Sequence, residues 1–156
     1  MTITVRDMVT DDLPALFEIQ RDQEGQHMAA FTAAANDDRD AYLAKQRRHL
    51  ADDAITAKTI VVADEIVGSI ACFEFEGEQE VTYWIRRDCW GRGIASAALA
   101  ELLAEMRTRP VFGRTADDNL ASMRVLERNG FVRTGADTAF AHARQREVTE
   151  IIFRLG

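Results

Sequence analysis

Two glycines stand directly before an apolar helical pattern, in the stretch Trp90-Gly91-Arg92-Gly93-Ile94-Ala95-Ser96. Glycines at such a junction let the backbone turn sharply and approach a ligand closely. The first amides of a helix lack intrahelical partners and carry a partial positive charge, which suits a pyrophosphate group. The sequence therefore predicts a phosphate-binding loop at this point, and a plain tight turn is the alternative interpretation.

This loop differs from two widespread phosphate sites. A Walker loop would place Gly-Lys-Ser or Gly-Lys-Thr before the helix, and the stretch contains neither. The dinucleotide fingerprint GxGxxG would need glycine or alanine at position 96, which is Ser96. We therefore expect phosphate binding without magnesium-dependent nucleotide hydrolysis.

A strand before the loop and a helix after it are predicted to hold it in place. From Glu80 to Arg86, apolar and polar residues alternate, which is the period of a strand. From Ala95 to Met106, apolar residues recur at i, i+3, i+4 and i+7, which indicates an amphipathic helix. The loop should therefore lie at a strand-to-helix junction.

The rest of the chain predicts further strands and helices. Strands are expected at residues 2–6, 59–63, 66–75, 111–114, 131–135 and 147–155. Helix caps are expected at 10–12, 36–38 and 117–119, a loop or broken helix at 21–36 with Gly25 as its breaker, and a polar connection at 136–146. We predict an α+β fold, with a mixed sheet and helices on both sides, in one domain spanning residues 1–156.

Composition and charge limit the partners. The chain is 47% hydrophobic and 29% charged, which is ordinary for a globular domain, and its net charge of -7 argues against nucleic acid and favours a cationic partner such as an amine. The start of the chain does not resemble a signal peptide, and no apolar run approaches the length needed to cross a bilayer. Cys72, Cys89 and the three histidines form no metal-ligand pattern. We expect a cytoplasmic protein with free thiols, no metal and no membrane partner.

These residues resemble the GNAT superfamily of acetyl-coenzyme A-dependent N-acetyltransferases. The family's loop reads Gln/Arg-x-x-Gly-x-Gly/Ala, and Gly93 and Ala95 match its last two positions, whereas Trp90 stands where Gln or Arg is usual. Tyr-Trp-Ile followed by Trp-Gly-x-Gly is similar to the ribosomal-protein, or Rim-type, branch. A second segment, from Asn119 to Phe131, is similar to the family's Asn-x-x-Ser…Gly-Phe motif. The resemblance covers nearly the whole chain.

The resemblance implies direct transfer of acetyl from acetyl-coenzyme A, a co-substrate, to a primary amine on a protein N-terminus or a small molecule. It implies a mixed, mostly antiparallel, twisted sheet with a splayed central strand pair. It places the acyl-pantetheine arm between the strands at 66–75 and 80–87. The cofactor-binding residues would then be Ile85, Arg86, Trp90, Gly91, Arg92, Gly93, Ile94, Ala95, Ser96, Asn119 and Ser122.

Three side chains are candidates for catalysis. Glu80 aligns with a family glutamate that acts as a general base, although it could be a solvated carboxylate, and Glu74, Glu76 and Glu78 are rivals. Ser122 matches a serine that hydrogen-bonds the leaving sulfur, or it is a plain helix-face serine. Tyr83 is either a proton donor or a core tyrosine with a satisfied hydroxyl.

Other readings stay open at this point. Asn119 is a helix cap, a ligand of the pantetheine arm, or both. An acyl relay through Cys89 would need a histidine partner, and the sequence places none nearby. A non-catalytic acyl-coenzyme A-binding regulatory module and a nucleotide-binding domain compete with the enzyme. The acceptor amine, and the choice between monomer and homodimer, are not identified by the sequence.

Overall fold

The computed structural model describes residues 1–31 and 37–156. In these residues, strands with alternating apolar side chains form one mixed, seven-stranded sheet. The strands are β1 (Ile3–Asp7), β2 (Thr56–Val62), β3 (Glu65–Phe75), β4 (Glu78–Ile85), β5 (Val111–Ala116), β6 (Val132–Ala141) and β7 (Arg146–Leu155). Their order across the sheet is β1-β2-β3-β4-β5-β7-β6. All neighbours are antiparallel except β4 and β5.

Helices cover both faces of the sheet, so the predicted α+β class is confirmed. The helices are α1 (Leu13–Gln20), α2 (Gln23–Ala29), α3 (Arg39–Leu50), α4 (Ile94–Glu105) and α5 (Leu120–Arg128), with 3-10 turns at Thr10–Asp12 and Arg87–Cys89. Helices α1, α2 and α3 lie on one face, and α4 and α5 lie on the other. Among the described residues, no helix has the length and apolar character needed to cross a membrane.

Helix α4 supplies the centre of the main core. Its predicted apolar stripe is confirmed, because Ala98, Leu99, Leu102 and Leu103 are buried against the sheet. Each buried leucine contributes about 2 kcal/mol to folding through the removal of apolar surface from water. The core therefore fixes α4, and with it the position of the loop at its N-terminus.

The splayed strand pair is β4 and β5. These strands pair at Gln79–Val111 and Glu80–Phe112 and then diverge, which leaves what we call the β4–β5 gap. The sequence analysis was wrong to put the opening between 66–75 and 80–87, because β3 and β4 pair from Phe75–Glu78 to Gly68–Ile85. A two-residue turn joins β3 to β4 and keeps these two strands together. In contrast, β5 follows β4 through the crossover helix α4, so β5 can separate from β4.

Two other predictions of local structure were also wrong. Gly25 does not break a helix but lies inside α2, where a Cβ would come within 3.0 Å of the Trp84 ring, so the glycine makes room for that ring. The segment 136–146 is not a connection throughout, because β6 continues to Ala141 and pairs with β7. As an edge strand, β6 exposes most of its side chains. Its sequence is therefore largely polar and lacks the apolar pattern that predicts a strand.

The expected helix caps are confirmed at two of three places. Asp38 caps α3 by accepting a hydrogen bond from the amide of Ala41, and Asn119 caps α5 in the same way from Ser122. Asn36, the first residue of the predicted 36–38 cap, lies outside the described residues. At the third place, Asp12 does occupy the N-cap position of α1, but its side chain makes no hydrogen bond to that helix, so the expected side-chain cap was wrong.

The Asp12 carboxylate instead joins β1 to β2 in the interior. It accepts two hydrogen bonds from the Arg6 guanidinium at 2.8 Å, one from the Thr59 hydroxyl at 2.8 Å and one from the Val9 amide at 3.0 Å. The bond from Arg6 is the largest cause of a lowered pKa of Asp12, about 2 instead of 3.8. The carboxylate therefore stabilises the fold in its charged form.

We expect Asp12→Asn to lower the free energy of unfolding at pH 7 by about 2 kcal/mol, because the native state holds the charged form of Asp12 more tightly than the unfolded state does. This contribution is fully present above about pH 4 and is lost as the pH falls through about 2, so the difference between wild type and variant should shrink on acidification. Urea denaturation at several pH values measures it. Asp11→Asn, an exposed change in the same turn, is the matched control and should have little effect.

Candidate active site

The predicted phosphate loop has the geometry of an anion site. Gly91 and Gly93 both have a φ of 77°, in the left-handed region that glycine adopts without strain. Gly93 is the N-cap of α4, and no side chain of the described residues caps that helix. The amides of the first turn of α4 therefore stay available to a ligand.

Trp90 attaches the loop to the end of β4. Its indole N–H donates a hydrogen bond to the Ile85 carbonyl at 2.8 Å, while the side chain remains 41% exposed. This hydrogen bond ties the start of the loop to the last residue of β4.

A cavity of about 1030 Å³ brings most of the predicted site residues together beside the β4–β5 gap. Arg86 and Arg92 are outside its lining. The Arg86 guanidinium instead pairs with Asp88 at 2.6 Å and Glu65 at 3.1 Å. The predicted residues that line the cavity are Glu80, Tyr83, Ile85, Trp90, Gly91, Gly93, Ile94, Ala95, Ser96, Asn119 and Ser122.

The edge of β4 faces the gap with its backbone. The Arg86 amide donates to the Val67 carbonyl of β3 at 2.7 Å, so it is directed away from the gap. Because successive residues of a strand direct their N–H and C=O groups to opposite sides, the backbone groups of Tyr83 and Ile85 point towards β5. The Ile85 carbonyl is used by Trp90, which leaves Tyr83 as the central open position.

Tyr83 and Ser122 meet inside the cavity. Their hydroxyl oxygens are 2.7 Å apart, and either can be the donor, while the Tyr83 hydroxyl is also 3.1 Å from the Ser122 carbonyl. Burial raises the pKa of Tyr83 to about 12. The phenol therefore stays protonated near neutral pH and can act as a hydrogen-bond or proton donor.

Glu80 lies on the opposite face of β4 from Tyr83, in a network of charges. The carboxylate of Glu80 accepts a hydrogen bond from Arg114 Nε at 2.8 Å, and the side chain is 9% exposed. Arg114 Nη1 also lies 3.3 Å from Glu150 and 3.4 Å from Asp137. The predicted base is therefore already paired with a guanidinium.

The rival glutamates lie elsewhere. Glu74, Glu76 and Glu78 are exposed, and Glu74 borders a second cavity of about 610 Å³ on the face of α1 and α3. That cavity shares Thr82, Tyr83 and Trp84 with the first, so the two adjoin along β4. Open space is therefore present on both faces of this strand.

The comparisons with known proteins agree with this geometry. A family model described as an acetyltransferase (GNAT) domain matches residues 2–132. The chain belongs to the GNAT family. No curated protein matches the sequence.

Solved structures share the GNAT fold over nearly the whole chain. YncA from Salmonella typhimurium, determined with its cofactor acetyl-CoA, has a TM-score of 0.82 at 20% identity and covers 99% of this chain and 94% of its own. Spermidine N-acetyltransferase from Vibrio cholerae, determined with CoA and spermine, has a TM-score of 0.80 at 17% identity, with coverages of 97% and 95%. RimL, a ribosomal L7/L12 alpha-N-protein acetyltransferase in complex with coenzyme A, has a TM-score of 0.80 at 17% identity and covers 97% of this chain and 93% of its own. At these identities the likeness shows the fold alone.

Two asparagines connect the helices that surround the cavity beside the β4–β5 gap. Asn119 caps α5 through its side-chain oxygen, and its amide donates to the Met28 carbonyl of α2 at 3.3 Å. Asn129 donates from one amide nitrogen to the backbone carbonyl of Ser96 at 3.1 Å and to the Ser96 hydroxyl at 3.3 Å. Sequence reasoning missed Asn129, because an asparagine before glycine at a helix end already suits a turn.

Cys89 does not have the exposure or the lowered thiol pKa of a nucleophilic cysteine. The side chain is 5% exposed, and burial raises the pKa of its thiol, with Asp88 adding to the effect. Its sulfur lies 3.5 Å from Asp88 and 3.8 Å from Arg86. A neutral, buried thiol is a poor acyl carrier. Among the described residues, no group of three or more His, Cys, Asp or Glu is arranged to hold a metal ion.

We expect Gly93→Asp to abolish coenzyme A binding, because it adds negative charge and backbone strain where the loop amides would hold the pyrophosphate. Calorimetry with coenzyme A measures the loss. Gly77→Asp is the matched control, since it puts the same side chain at another positive-φ glycine, in the turn between β3 and β4, and should keep the affinity. A folded Gly93→Asp protein that binds like the wild type would contradict the assignment.

Proposed function

We propose that the protein transfers an acetyl group from acetyl-coenzyme A directly to a primary amine. The observation that carries the proposal is the pair of hydroxyls, Tyr83 and Ser122, which lie 2.7 Å apart in the cavity beside the β4–β5 gap. The uncapped start of α4 borders the same cavity. One cavity thus offers amides for a pyrophosphate, an open strand edge for an amide-containing arm, and donors for a thiolate.

The hydroxyl pair suits the departure of the leaving group. As the amine attacks the thioester carbon, a C–N bond forms and the C–S bond breaks, and the departing thiolate needs a proton. Tyr83 is protonated at neutral pH, as an ordinary tyrosine with a pKa of about 10 would be, and burial raises its pKa further, to about 12. Ser122, within hydrogen-bond distance of it, can pass that proton to the sulfur.

A cationic acceptor fits the charge on the other face of β4. Glu80, Glu150 and Asp137 there share one arginine, and the whole chain carries a net charge of -7. Structures of the same fold include an N-acetyltransferase of spermidine and one of a ribosomal protein, so both small-molecule amines and protein N-termini are candidates. The role of the loop residues as cofactor ligands is part of this proposal, and the role of Glu80 as base stays a prediction of the sequence.

A non-catalytic acyl-coenzyme A-binding module is the second candidate. The observation that favours it is the pairing of Glu80 with Arg114, which engages the carboxylate expected to act as base.

Location in the cytoplasm, the monomeric or homodimeric state, and the lack of nucleic-acid or membrane partners stay predictions.

We expect coenzyme A to be released from acetyl-coenzyme A when the protein is given a suitable primary amine. A panel of polyamines, amino acids, aminoglycosides and short peptides with free N-termini should contain at least one acceptor, and tertiary amines of similar charge should give none. A thiol reagent that detects free coenzyme A measures turnover. Tight binding of acetyl-coenzyme A with no turnover of any amine would favour the non-catalytic module.

We expect Ser122→Ala to lower kcat by about ten- to a thousandfold, because the sulfur loses its hydrogen-bond donor. Tyr83→Phe should have a loss of similar size, and the double variant should be little worse than either single variant if both hydroxyls serve one proton transfer. Acetyl-coenzyme A affinity should stay near that of wild type, which separates this effect from damage to the loop. Equal turnover in the variants and wild type would make the pair purely structural.

A further inference from the structure

The proposed transfer needs a group that takes a proton from the acceptor ammonium, and the cavity contains a carboxylate that the sequence analysis did not single out. We propose that Glu150 is the residue that accepts this proton, with Arg114 and Glu80 as the residues that position it. The inference rests on the proposed acetyl transfer, and it identifies which carboxylate of the site does the work.

Glu150 occupies a suitable place. It lies on β7, opposite Ala116 of β5 on one side and Asp137 of β6 on the other, so its side chain is on the same face of the sheet as Arg114. The side chain is 17% exposed and borders the cavity that also contains Tyr83 and Ser122. An amine that reaches the β4–β5 gap from the α2 face would therefore pass this carboxylate.

Glu80 is less accessible to an acceptor. Its Oε1 atom is held by Arg114 Nε at 2.8 Å, and the acceptor would have to displace a guanidinium to reach that oxygen. Arg114 Nη1 contacts Glu150 at the longer distance of 3.3 Å and is shared with Asp137 at 3.4 Å. Glu150 is thus the more loosely held and the more exposed of the two carboxylates.

The charges around Glu150 favour proton uptake. Three carboxylates, on Glu80 of β4, Asp137 of β6 and Glu150 itself, surround one guanidinium, Arg114 of β5. Burial is the largest cause of a raised pKa of Glu150, Arg114 opposes the shift, and Glu80 and Asp137 add to it. A carboxylate with a raised pKa holds an incoming ammonium and then takes its proton more readily than a solvated one.

The ammonium gives one proton to Glu150, and the neutral amine attacks the thioester carbon to form the C–N bond. When the C–S bond breaks, one proton reaches the sulfur through Ser122 and Tyr83, and the second proton on the nitrogen passes to solvent. Glu150 then releases its proton to solvent, and Tyr83 regains one proton from solvent. The products are an acetamide, coenzyme A thiol and one proton, and every side chain returns to its starting state.

The pH dependence follows from the direction of the shift. Below the raised pKa, Glu150 is protonated and cannot act as a base, so kcat/KM should rise as the pH increases through that pKa. We expect Glu150→Gln to lower kcat/KM by about ten- to a hundredfold at neutral pH and to remove this acid limb, while acetyl-coenzyme A affinity stays unchanged.

Two further variants serve as comparisons. Glu147→Gln makes the same change at an exposed glutamate of β7 that does not line the cavity, and it should keep both the rate, within about twofold, and the acid limb. Glu80→Gln removes the buried partner of Arg114 and should lower the rate through misplacement of Arg114, while the acid limb remains because Glu150 is still present.

The outcomes separate the two levels of the proposal. If Glu80→Gln removes the acid limb and Glu150→Gln keeps it, Glu80 is the base and the inference is overturned, with acetyl transfer intact. Turnover and a pH profile in Glu150→Gln that match wild type overturn it in the same way. A wild-type protein that acetylates no amine overturns the proposed function, and this inference with it.

Discussion

Strands β4 and β5 share two residue pairs and then separate, and the gap between them governs the rest of the site. A parallel ladder continued to the end of β4 would satisfy the backbone groups around Tyr83 and close the cavity. The two strands can part because each is held on its other edge, β4 by β3 and β5 by β7 over the full length of β5. The open edge is thus maintained by the ladders on either side of it.

Arg114 lies where the strands begin to part and connects the two halves of the sheet. Its guanidinium contacts Glu80 of β4, Glu150 of β7 and Asp137 of β6, and it also lies 5.9 Å from the centre of the Phe75 ring. A partly buried charge of this kind is costly unless it is well paired, and removal of one partner leaves the others uncompensated. The network therefore joins structural support and the electrostatics of the cavity in one group of side chains.

The parts of the protein that sequence could predict are those specified by local pattern. The apolar stripe of α4, the two glycines before it and the Asn119 cap of α5 each depend on residues close together in the chain, and the structure has all three. The polar edge strand β6 was missed because an exposed strand has few apolar residues to mark it. Local patterns therefore sufficed for buried elements and failed for an exposed one.

The arrangement of the site depends on contacts that sequence spacing does not encode. Tyr83 and Ser122 are 39 residues apart, and their meeting follows from how α5 packs beside β4. The sequence marks Glu150 only weakly, as the single carboxylate in the mostly apolar run from Val148 to Phe153. Its closeness to Arg114 depends on the register between β5 and β7, which the sequence does not specify. The position of the strand opening likewise required the pairing of β3 with β4.

The two faces of β4 have a consequence for the kinetic order of the proposed reaction. Tyr83 and Ser122 lie on the face of α4 and α5, whereas Glu80 and Arg114 lie on the face of α2. Donor and acceptor that approach from opposite faces do not compete for the same space, so both can be bound at once. With Cys89 buried and neutral, no acylated protein need form between them. For the proposed acetyl transfer, such a site would give intersecting rather than parallel double-reciprocal lines, because a ternary complex would precede the release of either product.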